Sequence, residues 1–252
     1  MQPETITKLI ELNRQFYQTF GEAFAATRRR IQPGIRQVLK RIPPNGRWVD
    51  LGCGSGALAL EWVRAGRAGL YLGLDFSQQL LEEAQTALES EAPPHPQLQI
   101  AFQLADLSNP HWHTALEGQS FDGALSFAVF HHLPAMHVRL QVLQALRAML
   151  PAGALFYHSQ WQFHNSPRLM QRVIPWEQAG FSPTEVETND YLLDWRYALP
   201  GQREQIGYRY VHLFTREELS ELASQAGFEI VDEFESDGHE GNLAIYQSWR
   251  AI

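Results

Sequence analysis

The stretch of sequence that decides the fold is WVDLGCGSGA, residues 48–57, in which three glycines fall within five residues behind an apolar run. A short apolar run that ends at glycines is typical of a buried strand, and glycines let the backbone approach a ligand closely. Residues 57–63 follow as a predicted helix whose N-terminus faces that ligand. The stretch therefore predicts the first strand, turn and helix of a ligand-binding α/β fold.

The spacing of these glycines leaves the ligand open, and one charge separates the alternatives. Gly52-x-Gly54-x-x-Ala57 satisfies the dinucleotide fingerprint, which an NAD-binding protein and other nucleoside-binding proteins share. Asp50, two residues ahead of the first glycine, would repel the pyrophosphate of NAD. S-adenosyl-L-methionine carries an ammonium and a sulfonium beside one carboxylate and has no phosphate. Asp50 therefore favours S-adenosyl-L-methionine over NAD.

Two further carboxylates fall where the predicted strands end. Asp75 follows an apolar strand 23 residues beyond Gly52, where a carboxylate accepts both ribose hydroxyls of a nucleoside. Asp106 follows the next strand and is expected to accept from the adenine amine, while Ala105 or Leu107 offers backbone groups. Three acids at successive strand ends support a nucleoside cofactor at one edge of the sheet.

Strands and helices alternate along the core of the chain. The predicted strands cover residues 47–51, 69–74, 98–104, 121–130 and 154–159, and Ser77 is the expected N-cap of the helix over 78–90. This alternation predicts a Rossmann-like, doubly wound α/β fold with a mostly parallel sheet. The last two strands, 228–234 and 243–249, have no room for a crossover helix between them, so they are expected to pair antiparallel at a sheet edge.

The flanking segments complete a single domain over residues 1–252. Residues 1–44 are expected to form a helical lid, with one helix from about residue 5 to residue 41, ahead of the cofactor-binding core at 45–160. Residues 161–214 are rich in aromatic residues and prolines without a clean period, and we interpret them as a cap that selects the substrate. Residues 215–252 supply the final helix, which opens on a Thr215-x-x-Glu218 capping box, and the edge strands.

The composition indicates the compartment and the partners that we expect for the protein. One cysteine, Cys53, excludes an internal disulfide and suits a reducing compartment, so we expect a cytoplasmic protein. No apolar run reaches the length of a membrane span, and the N-terminus does not read as a signal peptide.

The net charge of −8 argues against indiscriminate binding to nucleic acid. Residues 23–49 hold seven basic and no acidic residues, which favours a solvated helix face over a phosphate-binding patch.

The core resembles the class I S-adenosylmethionine-dependent methyltransferases over residues 45–160. The likeness rests on DLGCGSG, GLD, ADL and FDGALSFAVFHHL, with LPAG in place of the commoner RPGG. It implies a seven-stranded sheet with a reversed last strand, and turnover of the donor to S-adenosyl-L-homocysteine. The cofactor contacts that it implies are Asp50, Gly52, Cys53, Gly54, Asp75, Phe76, Ala105, Asp106, Leu107, Ser126 and Phe127.

A narrower likeness points to one group of these enzymes. FAATR at residues 24–28, YRYVHLFTREEL at 208–219 and DGHEGNLAIYQSW at 237–249 are similar to segments of the tRNA wobble-uridine carboxymethyl methyltransferases. That group tends to place tryptophan directly after the asparagine, where this chain has Asn242-Leu243-Ala244. The resemblance implies a tRNA substrate and a small zinc-binding activator subunit as a partner.

Methyl transfer from a sulfonium is an in-line displacement that depends mainly on positioning. A carboxylate acceptor is already ionised and needs cationic clamps, for which Arg28, Arg196, Arg203 and Arg209 are candidates. An alcohol or amine acceptor would instead need a base, for which His131, His132, His158 and His212 are candidates. We expect His131, His132 and Arg209 at the reacting groups, with Tyr17 and Arg28 of the lid beside the cofactor. No histidine spacing indicates a metal site.

Three functions remain open from the sequence. The first is methylation of a carboxymethyl group on a tRNA wobble uridine, and the second is O- or N-methylation of a small molecule. The third is a scaffold that binds the donor without turnover. None of the three calls for a membrane.

Overall fold

The computed structural model describes residues 1–26, 31–91, 95–197 and 204–252. Ten strands lie in these residues and form two sheets. They are β1 Asn45–Leu51, β2 Ala68–Asp75, β3 Leu98–Leu104, β4 Gly123–Phe127, β5 Leu155–Trp161, β6 Val173–Ile174, β7 Asp190–Tyr197, β8 Gln205–His212, β9 Phe228–Ser236 and β10 Ala244–Ala251.

The larger sheet has seven strands in the order β3-β2-β1-β4-β5-β10-β9. Strands β1 to β5 pair in parallel, and β10 pairs antiparallel with both β5 and β9. The order reverses on either side of β1, so a crevice opens at the carboxyl ends of β1 and β4. The predicted Rossmann-like sheet with an antiparallel last strand is confirmed.

Seven helices accompany the sheets in the described residues: α1 Pro3–Ala26, α2 Pro33–Leu39, α3 Ala57–Arg64, α4 Gln78–Glu89, α5 Met136–Ala148, α6 Pro167–Met170 and α7 Arg216–Ala226. The Ser77 hydroxyl accepts from the Leu80 amide and caps α4, and Thr215 and Glu218 form the predicted capping box of α7. None of these helices combines the length and apolar character needed to cross a membrane.

Two predicted boundaries are wrong. The single N-terminal helix is instead α1 and α2, because Pro33 at the start of α2 holds Gln32 in an extended conformation. Strand β4 ends at Phe127 rather than at residue 130, since Ala128 takes a left-handed backbone with φ of 59°. A short 3₁₀ turn, Phe130–His132, follows and carries both histidines.

The aromatic-rich residues 161–214, called the insertion below, contain a three-stranded antiparallel sheet, β6-β7-β8, which no sequence period revealed. Side chains on both faces of β7 and β8 are buried, and several of them are charged, including Asp190, Asp194 and Arg209. Burial on both faces removes the alternation of polar and apolar residues that identifies a half-exposed strand.

Helix α1 packs across the insertion sheet and covers one side of the crevice. Phe16 and Phe20 of α1 contact Trp195 on β7, with ring centroids 5.8 and 5.2 Å apart. Gly207 on β8 leaves the space that these two phenylalanines fill. The position of the lid therefore depends on a close approach of helix to strand at Gly207.

We expect Gly207→Ala to lower the free energy of unfolding by about 1–3 kcal/mol, because the new Cβ forces the helix and strand apart. That Cβ would lie 2.5 Å from Phe20 Cε2 and 2.8 Å from Phe16 Cδ2. Urea denaturation measures the effect. Gly21→Ala on α1 is the matched control, since its Cβ meets nothing within 4 Å and alanine favours a helix. Equal stability of the two variants would contradict the close packing.

Candidate active site

A cavity of about 530 Å³ opens at the carboxyl ends of β1, β2 and β4, beneath α1. Fourteen of the sixteen residues predicted at the site line this cavity. The lining includes Tyr17, Asp50, Gly52, Cys53, Gly54, Asp75, Phe76, Ala105, Asp106, Leu107, Phe127, His131, His132 and Arg209. The structure thus gathers the cofactor and acceptor candidates around one cavity.

The glycine turn serves two different purposes within this cavity. Gly52 has φ of 77°, and a Cβ there would come 2.4 Å from Val129 Cγ2, so the loop after β4 packs directly on it. Gly54 has φ of 54°, and a Cβ there would meet nothing within 4 Å. Gly52 is therefore required by packing, whereas Gly54 leaves open space at the cavity.

Asp50 lies buried at the end of β1 and accepts a hydrogen bond from the Tyr71 hydroxyl. Burial raises the pKa of Asp50 to about 7, the bond from Tyr71 opposes this, and the neighbouring Asp75 adds to it. A cationic ligand in the cavity would favour the ionised carboxylate and bring that pKa down. Burial also raises the pKa of Cys53, whose thiol stays protonated and is no nucleophile.

Asp75 at the end of β2 is positioned by backbone amides. Its Oδ1 accepts from the Ser77 amide and its Oδ2 from the Gly54 amide, both at 2.9 Å. Burial raises the pKa of Asp75, and these amides act against the rise. Each carboxylate oxygen has a second lone pair, so both can also accept from ribose hydroxyls.

The side chains of Asp106 and Ser126 make contacts that the sequence did not predict. Asp106 lines the cavity, but Oδ1 accepts from the amide and hydroxyl of Ser108, and Oδ2 pairs with Arg14 of α1 at 2.7 Å. An adenine amine would have to share this carboxylate with the lid. The structure does not bring Ser126 to the cavity: its buried hydroxyl donates to the Leu51 carbonyl at 3.1 Å and joins β4 to β1.

His132 marks the other end of the cavity, and both of its ring nitrogens are engaged. Nδ1 lies 3.3 Å from the Tyr210 carbonyl oxygen, and Nε2 lies 2.8 Å from the Tyr17 hydroxyl. A carbonyl only accepts, so Nδ1 carries the proton and Nε2 accepts from Tyr17. His131 packs on His132, with ring centroids 4.2 Å apart, and reaches Trp161 at 5.9 Å.

Arg209 brings a positive charge to the same end. Its guanidinium lies 5.4 Å from the Phe16 ring centroid and 5.1 Å from that of Trp161, between the two rings. Burial lowers the pKa of Arg209, and the interaction with Tyr17 acts in the opposite direction. An arginine nevertheless stays charged, and an anionic group in the cavity would offset the unfavourable burial.

The remaining candidates do not reach the cavity or fall outside the described residues. Burial lowers the pKa of His158 to about 3, and its neutral ring packs on Phe156 and Trp249. His212 lies between Asp190 and Glu218, away from the cavity. Arg196 pairs with Asp194 and Glu204 at a half-exposed position. Arg28 and Arg203 lie outside the described residues.

Sequence reasoning missed the polar face of α1. Asn13 and Arg14 line the cavity together with Ile10, Tyr17 and Gly21, at the spacing of one helix face. The Asn13 amide donates to the carbonyls of His132 and Tyr210, and its oxygen accepts from the Tyr210 amide. An asparagine at helical spacing from Tyr17 is the signal that could have identified this face.

The fold and the acids at its strand ends define a Rossmann-like protein with a nucleoside-cofactor site. A family model described as a methyltransferase domain matches residues 23–233. The chain belongs to this family. It is an S-adenosylmethionine-dependent methyltransferase, and S-adenosyl-L-methionine is its cofactor.

Individual relatives agree with this family. The tRNA (carboxymethyluridine(34)-5-O)-methyltransferase of Schizosaccharomyces pombe is 29% identical over 238 residues, which cover 88% of this chain and 90% of the relative. The 2-phytyl-1,4-naphtoquinone methyltransferase of Nostoc punctiforme is 29% identical over 203 residues, 78% of each chain. A methyltransferase structure from Methanosarcina mazei superposes with a TM-score of 0.63 at 22% identity, covering 88% of this chain and 98% of that one.

We expect the affinity for S-adenosylmethionine to fall as the pH falls below 7. The donor's positive charges favour ionised Asp50, whose pKa near neutrality in the free protein means that acid protonates it first. Calorimetric Kd values should rise by up to about tenfold for each pH unit below that pKa. Asp50→Asn is the control, because it keeps an acceptor for Tyr71 and removes the titrating group. The same pH dependence in both proteins would contradict the role of Asp50.

Proposed function

We propose that the protein transfers the methyl group of S-adenosylmethionine to the carboxylate of a carboxymethyl group on a tRNA wobble uridine. The observation that carries this proposal is the buried Arg209 in the cavity wall, held between the rings of Phe16 and Trp161. A guanidinium suits a carboxylate because its fork of N–H groups matches the two oxygens. Such a pairing would orient one carboxylate lone pair toward the donor methyl.

The hydrogen bonds of His132 fit an acceptor that arrives ionised. Its protonated Nδ1 faces the Tyr210 carbonyl and its Nε2 accepts from Tyr17, so neither nitrogen is placed to take a proton from the substrate. A carboxylic acid has an ordinary pKa of about 4 and has already lost its proton at neutral pH. We therefore assign His132 to holding Tyr17, and Arg209 to clamping the acceptor. His131 completes the wall beside Trp161.

The cofactor roles in the proposal follow the geometry of the strand ends. Asp50 would face the positive charges of the donor, and Asp75 would accept from its ribose hydroxyls. Phe76, Ala105, Leu107 and Phe127 would line the nucleoside, with Tyr17 over it. The Schizosaccharomyces pombe relative, a tRNA carboxymethyluridine methyltransferase, supports the acceptor, and a tRNA substrate is consistent with a cytoplasmic reaction. A small activator subunit remains part of the proposal.

A small-molecule acceptor is the second candidate, and the charge of the surface favours it. The chain carries a net charge of −8. Two cations of the basic segment are also neutralised within the protein, since Arg36 pairs with Glu61 and Arg41 with Asp232. The Nostoc punctiforme relative, a quinone methyltransferase, is consistent with such an acceptor.

The test is transfer of radiolabelled methyl from S-adenosylmethionine to bulk tRNA and to a small-molecule extract. We expect labelled tRNA whose label is released by mild alkali, because methyl esters hydrolyse where N-methyl groups do not. Arg209→Gln should reduce the transfer by about 10- to 100-fold while leaving the Kd of the donor unchanged.

Arg168→Gln is the matched control, since Arg168 is an exposed arginine of the same insertion. Label in the small-molecule extract alone would favour the second candidate. Alkali-stable label on tRNA would contradict the carboxylate acceptor, and full activity of Arg209→Gln would contradict the clamp. Donor binding without transfer to either pool would contradict both acceptors.

A further inference from the structure

We propose that Arg139, on α5 and outside the cavity, is a positioning residue that aligns His132 and Arg209 at the acceptor end of the site. The proposal rests on the methyl transfer proposed above and adds a residue that acts through others. Arg139 is 1% exposed and does not line the cavity. A charge buried this far from the surface requires partners, and two of them, Leu133 and Tyr210, directly follow site residues in the chain.

The contacts of Arg139 run in two directions. Its Nε donates to the Leu133 carbonyl at 2.9 Å, which belongs to the residue directly after His132. Its Nη2 donates to the Tyr210 hydroxyl, also at 2.9 Å, and the guanidinium lies 5.1 Å from the Phe214 ring centroid. One arginine therefore joins the turn after β4 to strand β8.

Two acidic residues lie close to the same guanidinium. Asp190 and Glu187 lie 3.7 and 3.6 Å from it. Asp190 Oδ1 also accepts from the Tyr210 hydroxyl and from His212 Nδ1, both at 2.7 Å. These groups form one buried cluster between α5, α7 and the insertion sheet.

Glu218 closes the cluster on the side of α7. Its Oε1 lies 3.0 Å from His212 Nε2, so both nitrogens of that ring face carboxylates. Burial alone would raise the pKa of Glu218, but the hydrogen bonds from His212 and from the Thr215 amide lower it to about 2. The carboxylates of the cluster are therefore balanced by cations and donors of the protein itself.

A metal ion is a poorer explanation of this cluster. Potential ligand atoms of Glu187, Asp190 and His212 lie within 4.8 Å of one another. The Arg139 guanidinium already contacts both of these acids, and a divalent ion beside it would be repelled. The geometry fits a hydrogen-bonded cluster that joins α5 and α7 to the insertion sheet.

Strand β8 connects this cluster to the cavity. Successive side chains of a strand point to opposite faces, so Tyr210 and His212 enter the cluster while Arg209 faces the cavity. The Tyr210 carbonyl accepts from His132 Nδ1. Arg139 therefore acts on His132 by two routes. It binds Tyr210, whose carbonyl accepts from His132, and it binds Leu133, which directly follows His132 in the chain.

Buried ion clusters contribute little net stability, because desolvation cancels much of the attraction, but they can fix a particular geometry. Loss of the neutral Tyr210 hydroxyl leaves Arg139 and Asp190 paired with each other, so we expect it to affect alignment more than folding. Tyr210→Phe keeps the ring and removes the hydroxyl that joins Arg139 to Asp190. Arg139→Met is a second variant, in which the loss of the cation is more disruptive to folding.

The experiment compares the full-length wild type, Tyr210→Phe and the control Tyr191→Phe. Tyr191 lies on the neighbouring β7 and packs on Phe163, outside the cluster. We expect kcat for tRNA methylation to fall about tenfold in Tyr210→Phe, with the donor Kd unchanged. Nitrogen NMR of the His132 ring should show a single Nδ1-protonated form in the wild type and in the control, and exchange between two tautomers in Tyr210→Phe.

The two readouts separate this inference from the proposed acceptor. A changed His132 signal in Tyr210→Phe supports the positioning role even where the wild type leaves tRNA unlabelled, a result that overturns only the acceptor. A wild type that methylates tRNA, with kcat and the His132 signal unchanged in Tyr210→Phe, overturns the positioning role and leaves the acceptor standing.

Discussion

The carboxylate of Asp50 is buried against a glycine turn, and the ligand chemistry of the site depends on it. Burial and, to a smaller extent, the neighbouring Asp75 raise the pKa of Asp50 to about 7, against the hydrogen bond from Tyr71. Without a cationic ligand beside them, these acidic groups are costly to ionise. A cofactor that brings positive charge and no phosphate relieves this cost, which makes the site selective by charge as well as by shape.

The opposite wall of the cavity comes from parts of the chain that are distant in sequence. Helix α1 contributes Asn13 and Tyr17, and strand β8 contributes Arg209 and the backbone of Tyr210. The side chain of Asn13 bonds to the backbone of both His132 and Tyr210. The donor end is thus built by the sheet itself, whereas the acceptor end is built where the lid, the insertion and the turn after β4 meet.

The sequence predicted well those features whose causes are local. The glycine turn, the Ser77 cap and the capping box of Thr215 each depend on residues within a few positions, and the structure confirms the caps. The short connection before β10 was enough to predict its antiparallel pairing. The sheet edge that gathers Asp50 and Asp75 followed from the parallel strand order.

Features that depend on long-range burial escaped prediction. Ser126 was expected at the cofactor, yet its hydroxyl is used between two strands. The strands β7 and β8 were hidden because charged side chains are buried on them. Arg139 sits on α5 next to the apolar stripe of Val138 and Val142, where a sequence pattern reads it as surface. Its partners come from an insertion about fifty residues later, a pairing that only the tertiary structure reveals.

The central claim is that the acid-bearing glycine turn selects a cationic methyl donor over a phosphate-bearing dinucleotide. Isothermal titration calorimetry of the full chain with S-adenosylmethionine and with NAD, in the same neutral buffer, tests it most directly. Saturable binding of S-adenosylmethionine and no binding of NAD is the predicted result. Comparable binding of NAD, or no binding of S-adenosylmethionine, would contradict the account.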